Sequence, residues 1–460
     1  MEDDSLTISR LRSEYSTGDR TPEQTVETVF DRIRADETNA WITVRDREAV
    51  LADAEALDAP ADQPLYGVPF AVKDNIDVAG LPTTAACPAY AYEPEASATV
   101  VEKLLDAGAL LIGKTNMDQF ATGLVGTRSP YGVCRNVHNP AYISGGSSAG
   151  SAVAVARDHV AFALGTDTAG SGRVPAACNG IVGLKPTRGT VSTDGVVPAC
   201  ASLDCVSVFT DACSEALRVE SVIAGFDSAD PYSRRLAADT QFDPPTQDPD
   251  AVTVGLPETT GLEFFGDTEA ERMFDRVCET VTAGFGESVR VDFDPFVETA
   301  ELLYGGPWLA ERLEAIETFV ETHADAMNPI VERIVTEGRR YTAIDTFRAL
   351  HELERLKRAS ARVFDDIDVL VTPTVGTIYT IEEVREQPME RNADLGYYTD
   401  YVNLLDLSAV AVPVGQYDDG PGFGVTVLGE AGDDPLVAAV GEQLRSMAAT
   451  ETATPATSTD

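Results

Sequence analysis

The sequence predicts an α/β fold, a β-sheet covered by helices, on three observations. Apolar strand-like runs alternate with amphipathic or small-residue helical segments through the middle of the chain, which is the pattern of a sheet layered by helices. Turns rich in glycine and serine interrupt that alternation where strands hand over to helices. The 460 residues, 43% hydrophobic, suffice for a large core, and length alone sets a prior of two or three domains.

Taken in order, residues 6–35 carry helical periodicity, and Thr21-Pro22 reads as an N-cap followed by proline at the first helical position. YGVPFAVK (66–73) alternates like a strand, with Val68, Phe70 and Val72 on one face. TVVEKLLDAG (99–108) is a short amphipathic helix and ALLIGKT (109–115) an apolar strand. The helix AVAVARD (152–158), the strand VAFAL (160–164), a short helix over Pro175–Cys178 and the strand GIVGLKPT (180–187) follow. Long helices are predicted at 268–284, 308–327 and 345–364, and buried strands at 369–374 and 409–415. Residues 236–251, polar and proline-rich, read as a linker or surface loop. The C-terminal stretch 446–460, ending in ATETATPATSTD, reads as a disordered tail. No internal repeat is visible.

Charge and composition narrow the function. The chain has 76 acidic against 34 basic residues, a net charge of −42, which speaks against nucleic-acid binding through a basic surface. Only five residues are lysine (73, 103, 114, 185 and 357), and the acids are spread along the chain. Such a surface suits a salt-rich cytoplasm, where screening tolerates self-repulsion. No run of eighteen apolar residues suggests a membrane span, and the acidic start MEDDSLTISR is not a secretory signal, so a cytoplasmic location is expected. The seven cysteines lie between 87 and 278 without a CxxC pair, and the four histidines form no metal-spaced cluster. This pattern fits a reduced compartment and predicts neither a metal nor a cofactor.

GTDTAGSGR (165–173) holds the chemical question. Small residues surround one serine at the end of a strand, which either brings backbone close to a ligand or merely makes a tight turn. Gly146–Gly150 matches GxSxG, but no strand precedes it, and His323 and His351 lie in charged helical segments, so a hydrolase elbow with a histidine partner is disfavoured. A neutral lysine can activate a serine instead. Lys73 ends an apolar strand. It either snorkels to solvent or is buried with a lowered pKa. Moving a lysine from about 10.4 to near 7 needs roughly 4–5 kcal/mol of differential destabilisation.

GVPFAVKDN (67–75), SGGSSAGSAVAVA (144–156) and ALGTDTAGSGRVPAACNGIVGLKPT (163–187) occur in this order. Together they resemble the amidase signature family over about residues 20–440. The resemblance implies the amidase signature fold, a large mixed β-sheet with helices on both faces. It implies a single domain over 1–445, with N-terminal helices at about 5–60, a catalytic core at about 65–210 and a substrate-side helical region at about 265–365. It also implies a Ser-cis-Ser-Lys triad with Ser171 as nucleophile, Ser147 as bridging serine and Lys73 as base. Ser148 is expected to cap the following helix. The backbone N–H groups of Thr168, Ala169, Gly170 and Ser171 are the candidate oxyanion donors. The family block reads GGS where this chain has AGS, with Ala169. Asp167 and Arg173 are expected to hold the loop by hydrogen bonds.

Within the family, GTRSPYG (126–132), VSTDGVVPACASLDCVSVF (191–209), LLYGGPWLAERLEAI (302–316), TIYTIEEV (377–384) and YTDYVNLLDLSAVAVP (398–413) resemble the allophanate hydrolase group. That resemblance implies hydrolysis of allophanate with release of ammonia, as part of urea degradation and with a functional link to a urea carboxylase. It assigns Tyr304 and Arg312 to a small anionic amide substrate, a guanidinium being suited to reading a carboxylate, while Gly123 and Gly126 let backbone line the pocket. On residue type alone, Arg312 could equally be a solvated helix arginine paired with Glu311 or Glu314, and Tyr304 a core residue. The extra C-terminal domain of many such enzymes is not expected after the tail. N-carboxycarbamate is therefore the expected product, with decarboxylation spontaneous or due to another protein. Family members often form homodimers, with the first helices and those of 308–364 expected to contribute. The alternatives are a general small-amide amidase or a glutaminase subunit of the glutamyl-tRNA amidotransferase A type, and, from another class, a non-catalytic amidase-like binding protein.

Overall fold

A computed structural model of the chain describes residues 5–57, 63–235, 242 and 251–453. The described residues form an eleven-stranded mixed sheet. Its strands are β1 (Trp41–Val44), β2 (Pro69–Lys73), β3 (Leu110–Thr115), β4 (Phe162–Asp167), β5 (Val182–Lys185), β6 (Cys205–Thr210), β7 (Thr253–Pro257), β8 (Glu287–Val291), β9 (Val369–Pro373), β10 (Ser408–Gln416) and β11 (Gly422–Gly429). The order across the sheet is β1-β3-β2-β4-β6-β5-β10-β11-β9-β7-β8. β2 runs parallel to both β3 and β4, whereas β4 meets β6 antiparallel.

Both faces of the sheet are buried, and strand parity shows it. Alternate residues of a strand point to opposite faces. Val369 and Val371 of β9, with Val425 and Val427 of β11, enter one large core. Their neighbours Leu370 and Leu428 enter a second core with Tyr398, Tyr401 and Leu353. Helices supply the other side of each core. Val437 and Leu444 from the helix Asp434–Ala453 pack in the first, and Phe296 and Leu303 from Asp294–Gly305 in the second. A sheet covered on both faces reads as continuous apolar strands, as β4 and β9 do.

Caps fix the helix starts, at Thr21 where the sequence placed one. Thr21 forms a capping box with Gln24 at the head of Pro22–Arg34. The preceding helix, Ile8–Thr17, stops at Gly18, whose φ of 77° is left-handed. The periodic stretch 6–35 is thus two helices. Asp267 caps Thr268–Gly284 and Thr342 caps Ala343–Phe364.

Two expectations need correction. The segment 308–327 is not one helix. It divides into Trp308–Glu314 and Glu317–His323, because Ile316 leaves helical backbone (φ −130°, ψ 18°). The break lets Leu313, Ile316 and Val320 join one apolar cluster with Phe120 and Val331. At the C-terminus, helix Asp434–Ala453 runs through most of what reads as a tail from 446, because Val437, Val440 and Leu444 anchor it to the sheet. Residues 454–460, and all but Phe242 and Ala251 of the linker 236–251, lie outside the described residues.

The helix Ala149–Ala156 carries small residues for close packing. A Cβ on Gly150 would lie 2.1 Å from the Ala40 carbonyl oxygen and 2.5 Å from the Asn116 nitrogen. Both are backbone atoms that cannot rotate aside. Gly150→Ala is therefore expected to destabilise the fold by about 1–3 kcal/mol, the usual cost of overpacking, read as a lower midpoint in chemical denaturation. An unchanged midpoint would mean that this helix does not sit where the structure places it.

Candidate active site

The carboxyl ends of two adjacent parallel strands, β2 and β4, bring the chemical groups together. Such ends, in open α/β sheets, are where ligands bind. Lys73 is the last residue of β2, and its side chain is fully buried. Its Nζ lies 2.7 Å from Ser147 Oγ and 2.7 Å from Thr166 Oγ1, donating to both. Ser147 follows a cis peptide bond from Gly146. Thr166 sits one residue before the end of β4.

Lys73 carries a marked electrostatic signature. Burial pushes its pKa down to about 7, against the pull of the carboxylates of Asp118, Asp204 and Asp167, and Arg312 pushes it further down. An ammonium stripped of water loses more than a neutral amine does. At neutral pH the amine form is therefore accessible, and 2.7 Å then suits a hydrogen bond from the Ser147 hydroxyl to Nζ.

Each of those three carboxylates also builds a loop. Asp118 accepts from the N–H groups of Val125 (3.1 Å), Gly126 (2.9 Å) and Arg128 (2.8 Å). Its own N–H donates to the Ser147 carbonyl. Asp204 accepts from the Thr168 hydroxyl at 2.5 Å and from the N–H groups of Ala199 and Cys200. Asp167 takes a two-pronged contact from Arg173, Nε at 3.0 Å and Nη2 at 2.9 Å, and also accepts from the Gly170 and Gly172 N–H groups. Burial alone would raise the Asp167 pKa, but the Arg173 charge and these hydrogen bonds leave it lowered.

Ser171 stands on the loop between β4 and the helix Arg173–Asn179, buried at 3% exposure. The backbone of Pro175, in the first turn of that helix, lies against Gly145, two residues from Ser147. The Ser147 and Ser171 loops are therefore neighbours, although no hydrogen bond joins the two hydroxyls. Of the four expected oxyanion donors, Gly170 drops out, because its N–H is spent on Asp167. The N–H groups of Thr168, Ala169 and Ser171 have no protein partner among the described residues. Ala169 keeps a negative φ, the position that needs glycine being Gly170 at 136°. Ser148 is a second correction. Its hydroxyl does not cap the helix Ala149–Ala156 but brackets Thr166, accepting from its N–H and donating to its carbonyl.

Arg312 is not a solvated helix arginine. It is buried, 2% exposed, and neither Glu311 nor Glu314 pairs with it; Glu311 instead accepts from Ser202. Arg312 Nη1 donates to Thr122 Oγ1 at 3.1 Å, while Nε and Nη2 have no partner among the described residues. The guanidinium lies 5.5 Å from the centre of the Tyr304 ring. Tyr304 and Arg128 line an adjoining cavity of about 920 Å³, with Asn392 and Asp400. A Cβ on Gly123 would fall 2.8 Å from Asp118 Oδ2, and one on Gly126 would fall 2.7 Å from the Gly145 carbonyl oxygen and against Ser144 Oγ. Their lack of side chains serves these close approaches, to Asp118 and to the 144–145 segment respectively, and the Gly126 N–H is already spent on Asp118.

Sequence reasoning missed Thr166, Asn75, Asp118, Asp204, Arg128 and Asp400. Thr166 lies within GTDTAGSGR and Arg128 within GTRSPYG, so both were inside stretches singled out. Asn75, which donates to Thr166 Oγ1 at 3.3 Å, follows Lys73 by two residues. Among the described residues no group of histidines, cysteines and acids is arranged to hold a metal ion.

Comparison with known proteins agrees with this architecture. The family model Amidase matches residues 24–438. Urea amidolyase of Lachancea kluyveri is 45% identical over 423 residues, covering 90% of this chain and 23% of that protein. This chain thus spans about a quarter of the length of such relatives. The A-type subunit of glutamyl-tRNA(Gln) amidotransferase from Natronomonas pharaonis is 34% identical, covering 84% of this chain and 97% of that protein. The solved structure of Kluyveromyces lactis allophanate hydrolase superposes with a TM-score of 0.90 at 40% identity, covering 96% of this chain and 72% of that one. The buried lysine–serine pair, the glycine-serine loops around it and the matching family model together place this chain in the amidase family.

Proposed function

We propose that the chain hydrolyses the terminal C–N amide bond of allophanate (urea-1-carboxylate), releasing ammonia through an acyl-enzyme. The observation that carries this reading is the pairing of two features in one buried region. One is an amine, Lys73, hydrogen-bonded to Ser147 beside the Ser171 loop. The other is a buried guanidinium, Arg312, with two unmatched nitrogens over Tyr304. A small amide that bears a carboxylate answers both. The relatives named urea amidolyase and allophanate hydrolase support it.

The steps follow from the groups. Neutral Lys73 takes the Ser147 proton as Ser147 takes that of Ser171, and Ser171 Oγ adds to the carbamoyl carbon. The N–H groups of Thr168, Ala169 and Ser171 stabilise the oxyanion, preorganised donors being worth about 3–4 kcal/mol each. The relay returns a proton to the leaving nitrogen and ammonia departs. Water, activated by the same relay, then cleaves the ester and gives N-carboxycarbamate. Arg312 and Tyr304 hold the substrate carboxylate. The substrate is carboxylated urea, so a carboxylation of urea must precede this step, which is the basis of a link to urea carboxylase.

The test is ammonia release by purified protein in molar KCl, where screening suits a chain of net charge −42. Allophanate, biuret, glutamine and propionamide are supplied separately, with Ser171→Ala as control. Turnover of allophanate over the others, lost in the control, is expected; turnover of glutamine alone would favour the amidotransferase-type reading. Replacing Arg312 by Gln removes a charge-assisted contact worth about 1.5–3 kcal/mol. KM for allophanate should rise roughly tenfold to a hundredfold, with the melting temperature recorded alongside.

The pH profile is a separate check. The neutral amine is the active form, and burial places its pKa at about 7. kcat/KM should therefore climb as pH rises through 7 and fall away below it. The same shift has a stability sign. Between about 7 and the unfolded value of 10.5 the unfolded chain holds the extra proton, so raising pH across that window favours the folded state. An activity profile flat from pH 6 to 8 would remove Lys73 as the base.

A further inference from the structure

A buried carboxyl group close enough to Arg312 to feel its charge has no role in the steps above. Asp400 lines the cavity that Tyr304 and Arg128 also line. It is buried, 8% exposed, and its Oδ1 has no hydrogen-bond partner among the described residues. Its Oδ2 side packs on Gly396, where a Cβ would come within 2.4 Å. The residue before it, Thr399, touches the nucleophile loop. The Thr399 carbonyl accepts from Arg173 at 3.2 Å, and its side chain fills the space that a Cβ on Gly170 would need. Asp400 therefore follows a residue that touches the Ser171 loop and shares a cavity with Tyr304. Asp400 and Arg312 feel each other's charge, yet no ion pair within 4.0 Å joins them, and both keep unmatched polar atoms. A buried acid and a buried guanidinium normally close on each other, because an unpaired buried polar group is costly. Left apart, Asp400 keeps one unmatched acceptor oxygen and Arg312 two unmatched donor nitrogens.

We infer that Asp400 is a specificity residue, whose Oδ1 accepts a hydrogen bond from the N–H that lies between the carbonyl carbon and the carboxylate of the substrate, while Arg312 and Tyr304 take the carboxylate itself. This rests on the carboxylated-amide reading and adds the feature that separates allophanate from other small anionic amides. Malonamate has the same carboxylate, the same terminal amide and the same length, but a methylene in place of that N–H. A site that keeps a buried acceptor for an N–H rejects the analogue that lacks it, because the acceptor is then left unmatched. Burial also pushes the Asp400 pKa well up, so its carboxyl group repels an anionic substrate less than an ionised one would.

The experiment compares kcat/KM for allophanate and malonamate in wild type, Asp400→Ser and Asp400→Asn, with melting temperatures for all three. Wild type is expected to prefer allophanate by about tenfold or more. Asp400→Ser should lower that ratio by about tenfold. Asp400→Asn, which keeps an acceptor oxygen, should stay within about threefold of wild type. A purely structural Asp400 would lower both substrates by one factor and leave the ratio unmoved, which overturns the inference. A wild-type ratio near one overturns it without any variant, so failure of Asp400→Ser to fold does not protect it. Wild type that turns over malonamate but not allophanate overturns the substrate reading as well, whereas good allophanate turnover with an unmoved ratio overturns only the role of Asp400.

Discussion

The site depends on keeping the Lys73 amine out of water while giving it two hydroxyl neighbours. Full burial at the end of β2 disfavours the ammonium. Three nearby carboxylates oppose that effect. None of the three is free to dominate. Asp118 is wrapped by three backbone N–H groups, Asp167 by Arg173 and two more, and Asp204 by Thr168 and the 199–200 backbone. Hydrogen bonds to a carboxylate stabilise its charge and draw its field toward the donors. The groups that shape the loops are thus the groups that set the proton affinity of the lysine. Loop geometry and base strength cannot vary independently here.

The same economy governs positive charge. A chain of net charge −42 offers an anion little attraction at its surface. Its buried guanidiniums differ in what they have left to give. Arg173 is committed to Asp167 and the Thr399 carbonyl. Arg128 donates to the carbonyls of Thr122 and Pro388. Arg312 alone of these three spends one nitrogen and keeps two unmatched. Because it is shielded from water, its charge acts at short range and at low dielectric, where it is worth most.

How much of this could be read from the sequence depends on whether a residue's role was local. The helix Thr268–Gly284 was legible because Asp267 caps it and its apolar stripe faces one core. The stretch 308–327 has the same kind of stripe, and no glycine or proline marks the break at Ile316; tertiary packing decides it. Ser147 was singled out only through the family resemblance of its block, whereas Lys73 and Ser171 stood out because lysine is rare in this chain and Ser171 sits among small residues at a strand end. Asp118 and Asp204 did not, since each is one of 76 acids and only burial distinguishes them. Ser148 misled for a related reason. A serine before a helix is a good cap in isolation, but β4 passes close enough to claim its hydroxyl for Thr166.

The glycines of the recognisable blocks report close approach more than flexibility. A Cβ on Gly146 would lie 2.2 Å from Asp118 Oδ2, on Gly165 2.6 Å from Ser148 Oγ, and on Gly172 2.6 Å from Ser207 Cβ. None of these three has a positive φ, so backbone freedom is not what they supply. They let segments 144–150 and 163–173 pack closely on each other, on Asp118 and on Ser207, and these two segments supply the Ser147 and Thr166 hydroxyls at 2.7 Å from the Lys73 amine. A side chain at any of these positions would push a loop outward. The 2.7 Å contacts of Lys73 would then be lost without any change to Lys73, Ser147 or Thr166 themselves. The small-residue pattern that marks this family is, in this chain, the steric imprint of loops packed around a buried lysine.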